Sequence, residues 1–228
     1  MKRFLTISIV LLLSISIKAQ IEQPRHILEF GVAGGMNLNK MEFQPTVRQT
    51  YLNGMNGGVS LRYTSEKYFS MICAAQLEVN FSQRGWEEDF DDGTANRYSR
   101  TLNYIEVPFF AHLSWGKEKK GLQFFINLGP QFGFYINDSE IYEGAWVPEE
   151  RPVSLRPVYG KDVYNKFDYG IAGGGGLELK TKAGNFFIEG RYYFGLADVF
   201  SNSKTDDFGR SAYQTISVRL GYSIAILK

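Results

Sequence analysis

Between Thr101 and Asn137 the chain reads TLNYIEVPFFAHLSWGKEKKGLQFFINLGPQFGFYIN, and bulky apolar residues recur at every second position. They are Ile105, Val107, Phe109, Ala111, Leu113 and Trp115, then Leu122, Phe124, Ile126, Leu128, Phe132, Phe134 and Ile136 beyond a short basic turn. The alternate positions hold Tyr104, Glu106, His112, Gln123, Asn127 and Gln131. A period of two gives β-strands with two chemically different faces. Runs of a dozen residues exceed the soluble norm of roughly five or six, and they suit the roughly 9–11 residues with which a tilted strand crosses a bilayer.

Six more segments repeat the pattern, over residues 28–38, 55–64, 69–83, 167–180, 186–197 and 212–226. The connections alternate in length. Residues 39–54, 85–100, 138–165 and 198–211 are long, whereas 65–67, 116–121 and 181–185 are short. With eight strands this puts every long loop on one rim and every short turn, with both termini, on the other. The expected fold is therefore all-β: an eight-stranded antiparallel up-and-down transmembrane β-barrel with long external loops and short periplasmic turns. Closure leaves no strand edge unpaired, as hydrocarbon requires.

An eight-stranded barrel has room inside only for side chains. Small and polar residues fit that space and bulky aromatics on every strand do not, so the apolar face is expected to point outward. Glu29, Arg62, Glu78, Glu106, Glu178, Glu189, Arg191 and Arg219 then fall inside. Buried charges must be paired, so they are expected to plug the lumen as salt bridges rather than form an ion path. Glu78 and Glu106 are expected to share Arg62 or an arginine from the closing strands. The alternative is a soluble exported barrel of lipocalin type, with the bulky face inward around a small apolar ligand.

Residues 1–19 read as a signal peptide: Lys2 and Arg3, an apolar run from Phe4 to Ile17, and a cleavage point after Ala19. Residues 20–228 form the barrel domain, and the expected location is the outer membrane. Removing the signal takes Lys2, Arg3 and Lys18 and lowers the formal charge from +1 to −2. That balance gives no reason to invoke nucleic acid. Cys73 is the single cysteine, so no intrachain disulfide can form.

No set of residues points to catalysis, a cofactor or a metal, and the protein is expected not to be an enzyme. Glu87 to Gly93 is acidic but lacks the spacing of a calcium loop. Gly173 to Gly176 precedes no helix, so it reads as close strand packing rather than a phosphate cradle. Of His26 and His112, the latter reads as a hydrogen-bonded interior residue, and no Gly-x-Ser-x-Gly accompanies them. Pro108 and Pro130 lie inside strands and read as bulges that adjust curvature. Trp86, Trp115, Tyr63, Tyr192 and Tyr222 read as interfacial aromatics. The expected partners are the lipid bilayer of the outer membrane and, through the external loops, envelope or secretion proteins. Residues 138–165 carry a net charge of −3 and are the longest such surface.

Tyr104-Ile105-Glu106-Val107-Pro108, Leu128-Gly129-Pro130 followed by Gly133, and the terminal Ile216-Ser217-Val218-Arg219-Leu220-Gly221-Tyr222 resemble the PorT-like outer-membrane β-barrel proteins of Bacteroidetes. The resemblance covers essentially the whole exported chain. It implies the barrel fold and an outer-membrane location, in a family whose namesake is linked to protein secretion. It transfers no functional residue, and the ending Ile226-Leu227-Lys228 departs from the terminal aromatic of such strands.

Overall fold

The computed structural model describes residues 23–90, 93–153, 155–202 and 207–227; the expected signal peptide, 1–19, lies outside them. Eight long strands form the wall: β1 (Gln23–Gln44), β3 (Leu52–Tyr68), β4 (Met71–Glu88), β5 (Arg97–Gly116), β6 (Gly121–Glu143), β7 (Phe167–Lys180), β8 (Asn185–Gly195) and β9 (Arg210–Leu227). A two-residue strand, β2 (Gln49–Thr50), pairs with the end of β4 at Glu87 and Glu88. Each long strand is antiparallel to its sequence neighbour, and β1 pairs with β9 to complete the ring. The sheet therefore has no free long edge.

The alternation places the apolar face outward. Phe30, Val32, Leu61, Val79, Phe109, Ile126, Phe134, Ile171, Ile188 and Val218 are exposed, while the residues between them are buried. The lipocalin-like alternative needs the opposite orientation, so it falls. On β6 the outward apolar run extends from Leu122 to Ile136. At about 3.3 Å per residue and a tilt near 45° that is about 33 Å, close to the roughly 30 Å of a hydrocarbon core.

Around the first two long connections the strands run further than expected, and those two loops are correspondingly shorter: 45–51 instead of 39–54, and 89–96 instead of 85–100. The extra residues carry the same alternation in the opposite sense. On β1, Met41 and Phe43 are buried while Glu42 is exposed; on β5, Tyr98, Leu102 and Tyr104 are buried while Arg97 is exposed. Above the bilayer the outside is water, so a soluble barrel's pattern takes over. A reading tuned to apolar-outward strands stops where the phase flips.

The prolines also behave differently from expectation. Pro108 pairs with Gln131, and the β5–β6 register is the same on either side of it. The irregularity lies instead at Asn103/Tyr104. What the missing N–H of Pro108 removes is local, since Glu78 and Val79 find no ladder partners at Pro108 and Val107. Opposite this point Gly129 is a steric necessity: a Cβ there would stand 2.0 Å from the Phe109 carbonyl oxygen. Close packing likewise explains the glycine run, because a Cβ on Gly176 would meet the Ile188 carbonyl oxygen at 2.0 Å.

Candidate functional site

The lumen gathers charged side chains in a column, and period-two spacing delivers polar residues to it from every wall strand. Nearest the short turns, Arg62 donates to Gln76 at 2.7 Å and to Glu178 at 2.7 Å across the barrel, with Glu29 at 3.3 Å. Lys180 adds bridges to Glu178 at 2.6 Å and Glu29 at 3.2 Å. Asn185 donates to the other side of Glu29 at 2.8 Å.

In the middle, Arg191 forks onto both oxygens of Glu78, at 2.9 and 3.1 Å, and also reaches Glu189 at 2.9 Å. Arg219 approaches Glu78 from the neighbouring strand at 2.8 Å. The Arg191 guanidinium lies 4.5 Å from the centre of the Phe110 ring, in cation–π contact. Above it, Arg84 bridges Glu106 at 2.6 Å and Asp168 at 2.5 Å, and Tyr193 donates to the same Asp168 oxygen at 2.5 Å. The rings of Tyr193, Tyr104 and Tyr213 surround that guanidinium at 4.3, 5.2 and 5.2 Å.

All eight charges expected inside are there and buried. Their pairing differs in one respect. Glu78 does take arginines from the closing strands, but Glu106 takes Arg84, and Arg62 serves Glu178 and Glu29. Arg84 and Asp168 were missing from that set. Asp168 was legible as an inward residue opposite Tyr169, whereas Arg84 lay one residue past the assigned strand end. Counting these two and Lys180, six carboxylates face five cations, so the column is close to neutral.

The external end is filled by apolar side chains. Trp86, Tyr98, Phe43, Phe200 and Phe208 form one buried cluster, with Trp86 edge-on to Phe43 at 5.2 Å. Trp86 is fully buried, so it is not an interfacial residue; exposed Tyr63 and Tyr192 do lie on the outward face. With Trp115 and Trp146 replaced by phenylalanine, Trp86 should emit in the blue and resist quenching by aqueous acrylamide. Efficient quenching would place it outside the core.

Loop 144–166 contributes to this cap, with two short 3-10 turns at Pro148–Glu150 and Arg156–Val158. Val158 is fully buried, and Arg151 and Tyr159 both hold Glu88 at 2.5 Å. Burial and the neighbouring Glu88 carboxylate push the Tyr159 phenol up, which keeps it a donor. Arg151 also lies 3.9 Å over the Phe90 ring. The acidic segment is thus tied down by arginines: Glu87 to Arg97, Glu88 to Arg151 and Asp89 to Arg48, with 91–92 outside the described residues. Among the described residues no group of three or more His, Cys, Asp or Glu is placed to hold a metal ion.

His112 is buried on the lumen side, its Nδ1 2.7 Å from Asn127 Oδ1 and its ring 5.1 Å from that of Phe125. His26 is exposed and bonded to Tyr63 at 2.6 Å. The two histidines sit on opposite sides of the wall and form no constellation.

Residues 18–201 match the family profile of the outer membrane protein beta-barrel domain. No curated protein matches the sequence. Among solved structures, the outer membrane protein OprG from Pseudomonas aeruginosa is 10% identical, with 88% of this chain and 98% of that one covered and a TM-score of 0.44. Neisserial surface protein A is 9% identical, with 86% and 96% covered and a TM-score of 0.42. Ail of Yersinia pestis, in complex with the heparin analogue sucrose octasulfate, is 13% identical, with 86% and 99% covered and a TM-score of 0.36.

Proposed function

Because this chain belongs to the outer membrane protein beta-barrel domain family, we propose that it is a non-enzymatic envelope barrel of the PorT-like kind found in Bacteroidetes. It resides in the outer membrane with its apolar belt against lipid. In this reading residues 1–19 are the export signal, the charged column plugs the lumen, and the work is done by the external loops. That work is structural, or is the docking of proteins in envelope assembly or protein export.

The observation that carries the reading is the lumen. Its mid-barrel void, among Asn37, Glu106, Arg191 and Arg219, measures about 10 Å³. That is room for about one water molecule. Such an interior favours a stiff scaffold over a solute path. The external side offers the surface: Val153 and Tyr164 of loop 144–166 are 74% and 71% exposed although the same loop is anchored through Val158.

Two measurements test this. In planar bilayers the purified protein is expected to give no sustained conductance step; a stable open channel would overturn the plug. A photo-crosslinker at Val153 or Tyr164 in native membranes should capture an envelope or secretion protein. The same probe at Lys120, on the opposite rim, should not. Adducts with lipid alone at both external positions would sink the docking role.

A further inference from the structure

The ring closes within the bilayer, but its strands end at different heights above it. On the external side β5 and β6 stay paired up to Arg97 and Glu143. The β6–β7 ladder stops lower, at Phe134 and Phe167, with one further bond from the Tyr135 N–H to the Lys166 carbonyl at 2.9 Å. In an antiparallel ladder successive residues turn their N–H and C=O to opposite sides. Alternate backbone groups from Ile136 to Tyr142 therefore point away from β5, and among the described residues none of them has a partner on that side. Ile136 is the last apolar outward residue of β6, so the stretch beyond it stands in water, where an unpaired edge can exist.

The projecting ends of β1, β4 and β9 are covered. β2 pairs with the top of β4. The Gln49 side-chain amide bonds both the N–H and the C=O of Met41 on β1, at 2.9 and 2.7 Å. On β9, the Ser211 carbonyl accepts from the Val199 N–H at 2.8 Å, and its N–H donates to Asp198 at 2.6 Å. Loop 144–166 does not do the same for β6. It crosses the barrel mouth, where Arg100 donates to the Lys161 carbonyl and the Tyr164 and Asn165 N–H groups to the Val199 carbonyl. Residues 136–142 hold no proline and no lysine to blunt the edge. Their two carboxylates, Asp138 and Glu140, are neutralised by Arg100.

We propose that β6 between Asn137 and Tyr142 is a strand-addition site that takes an extended basic segment of another envelope protein as a further strand. The segment's main chain supplies the hydrogen bonds, and its alternate side chains give selectivity. Exposed Ile141 offers an apolar contact on the outer face. Cations are favoured because residues 138–165 carry a net charge of −3. Among the described residues, exposed Glu143, Glu149 and Glu150 make no ion pair. The same charge disfavours a second copy of this chain, whose edge would bring like charges side by side. The proposal rests on the reading of the external side as a docking surface, and it names where and how docking occurs.

The probe is a short peptide of alternating lysine and valine, added to the full exported chain in zwitterionic nanodiscs, with empty nanodiscs as the binding baseline. Amide hydrogen exchange is the readout. In the free protein the outward N–H groups of residues 137–142 should exchange quickly. With peptide they should slow by about tenfold or more, saturably, while β7 is unchanged. The same peptide methylated at every backbone nitrogen keeps its charge but loses its donors, and it should give no protection. Nor should a peptide of alternating glutamate and valine. Glu143→Lys with Glu149→Lys changes only exposed side chains and should weaken binding severalfold. Slow exchange in the free protein, whether from a covered edge or from a second copy, would overturn the proposal. So would no protection by the parent peptide, or equal protection by the methylated or glutamate peptide. Crosslinking at Val153 and Tyr164 does not depend on strand pairing, so capture there alongside any of these failures removes strand addition and leaves the docking role standing.

Discussion

Replacing Arg191 with methionine should destabilise the barrel by about 3–5 kcal/mol, the usual cost of removing one partner from a buried ion pair. Arg191 is the residue on which the middle of the lumen converges, forking onto Glu78 and bridging Glu189. Methionine fills much of the volume over Phe110 but leaves Glu189 with no short ion pair, its remaining contact to Arg219 being 3.9 Å. Glu78 keeps Arg219 at 2.8 Å. The loss therefore falls mainly on Glu189, and adding Glu189→Gln should recover a substantial part of it. Urea unfolding in lipid bicelles measures both variants. A single-variant cost below about 1 kcal/mol, the scale of an exposed pair, would mean that the charged column is solvated and does not stiffen the wall.

The second large effect lies on the other face of the same wall. Ala111 is at the centre of the outward run Ile105–Trp115, exposed and flanked by Ala75 and Leu128. Ala111→Arg should cost about 2–4 kcal/mol, as arginine does on the lipid face at the bilayer midplane. Thr101 also sits on the β5 flank opposite to buried Leu102, but past the point where the pattern inverts. Thr101→Arg should cost about 0–1 kcal/mol. Folding yield into liposomes and unfolding by urea report the difference. Equal behaviour of the two variants would mean that the hydrocarbon boundary does not lie between these residues.

Much of this was legible in the sequence because a strand's two faces are written in alternate letters. The pattern alone bounds β7 at Phe167 and Lys180, and each of the eight charges that it places inward is buried in the lumen. The rest failed for identifiable reasons. Arg84 and Trp86 follow the point where the outward residues stop being apolar, so the alternation ends the strand at Gln83 and leaves both in the loop beyond it. Trp86 then looked like an interfacial residue. Which carboxylate meets which arginine depends on the stagger between strands far apart in sequence. Thus Arg84 and Asp168, on β4 and β7, meet only when the ring closes. The cap was invisible for the same reason, since nothing in residues 144–166 announces that Val158 points down into the barrel mouth.

That cap decides where foreign sequence can be grafted for surface display. A peptide tag placed beside Val158 would pry out a side chain that the aromatic cluster encloses, and with it the Arg151 and Tyr159 grip on Glu88. The crown of the neighbouring connection is different: Gly93 has a left-handed φ of 71° and nothing within 4 Å of where a Cβ would stand. An epitope spliced in there should be reached by antibody on whole cells while the wall beneath assembles as before.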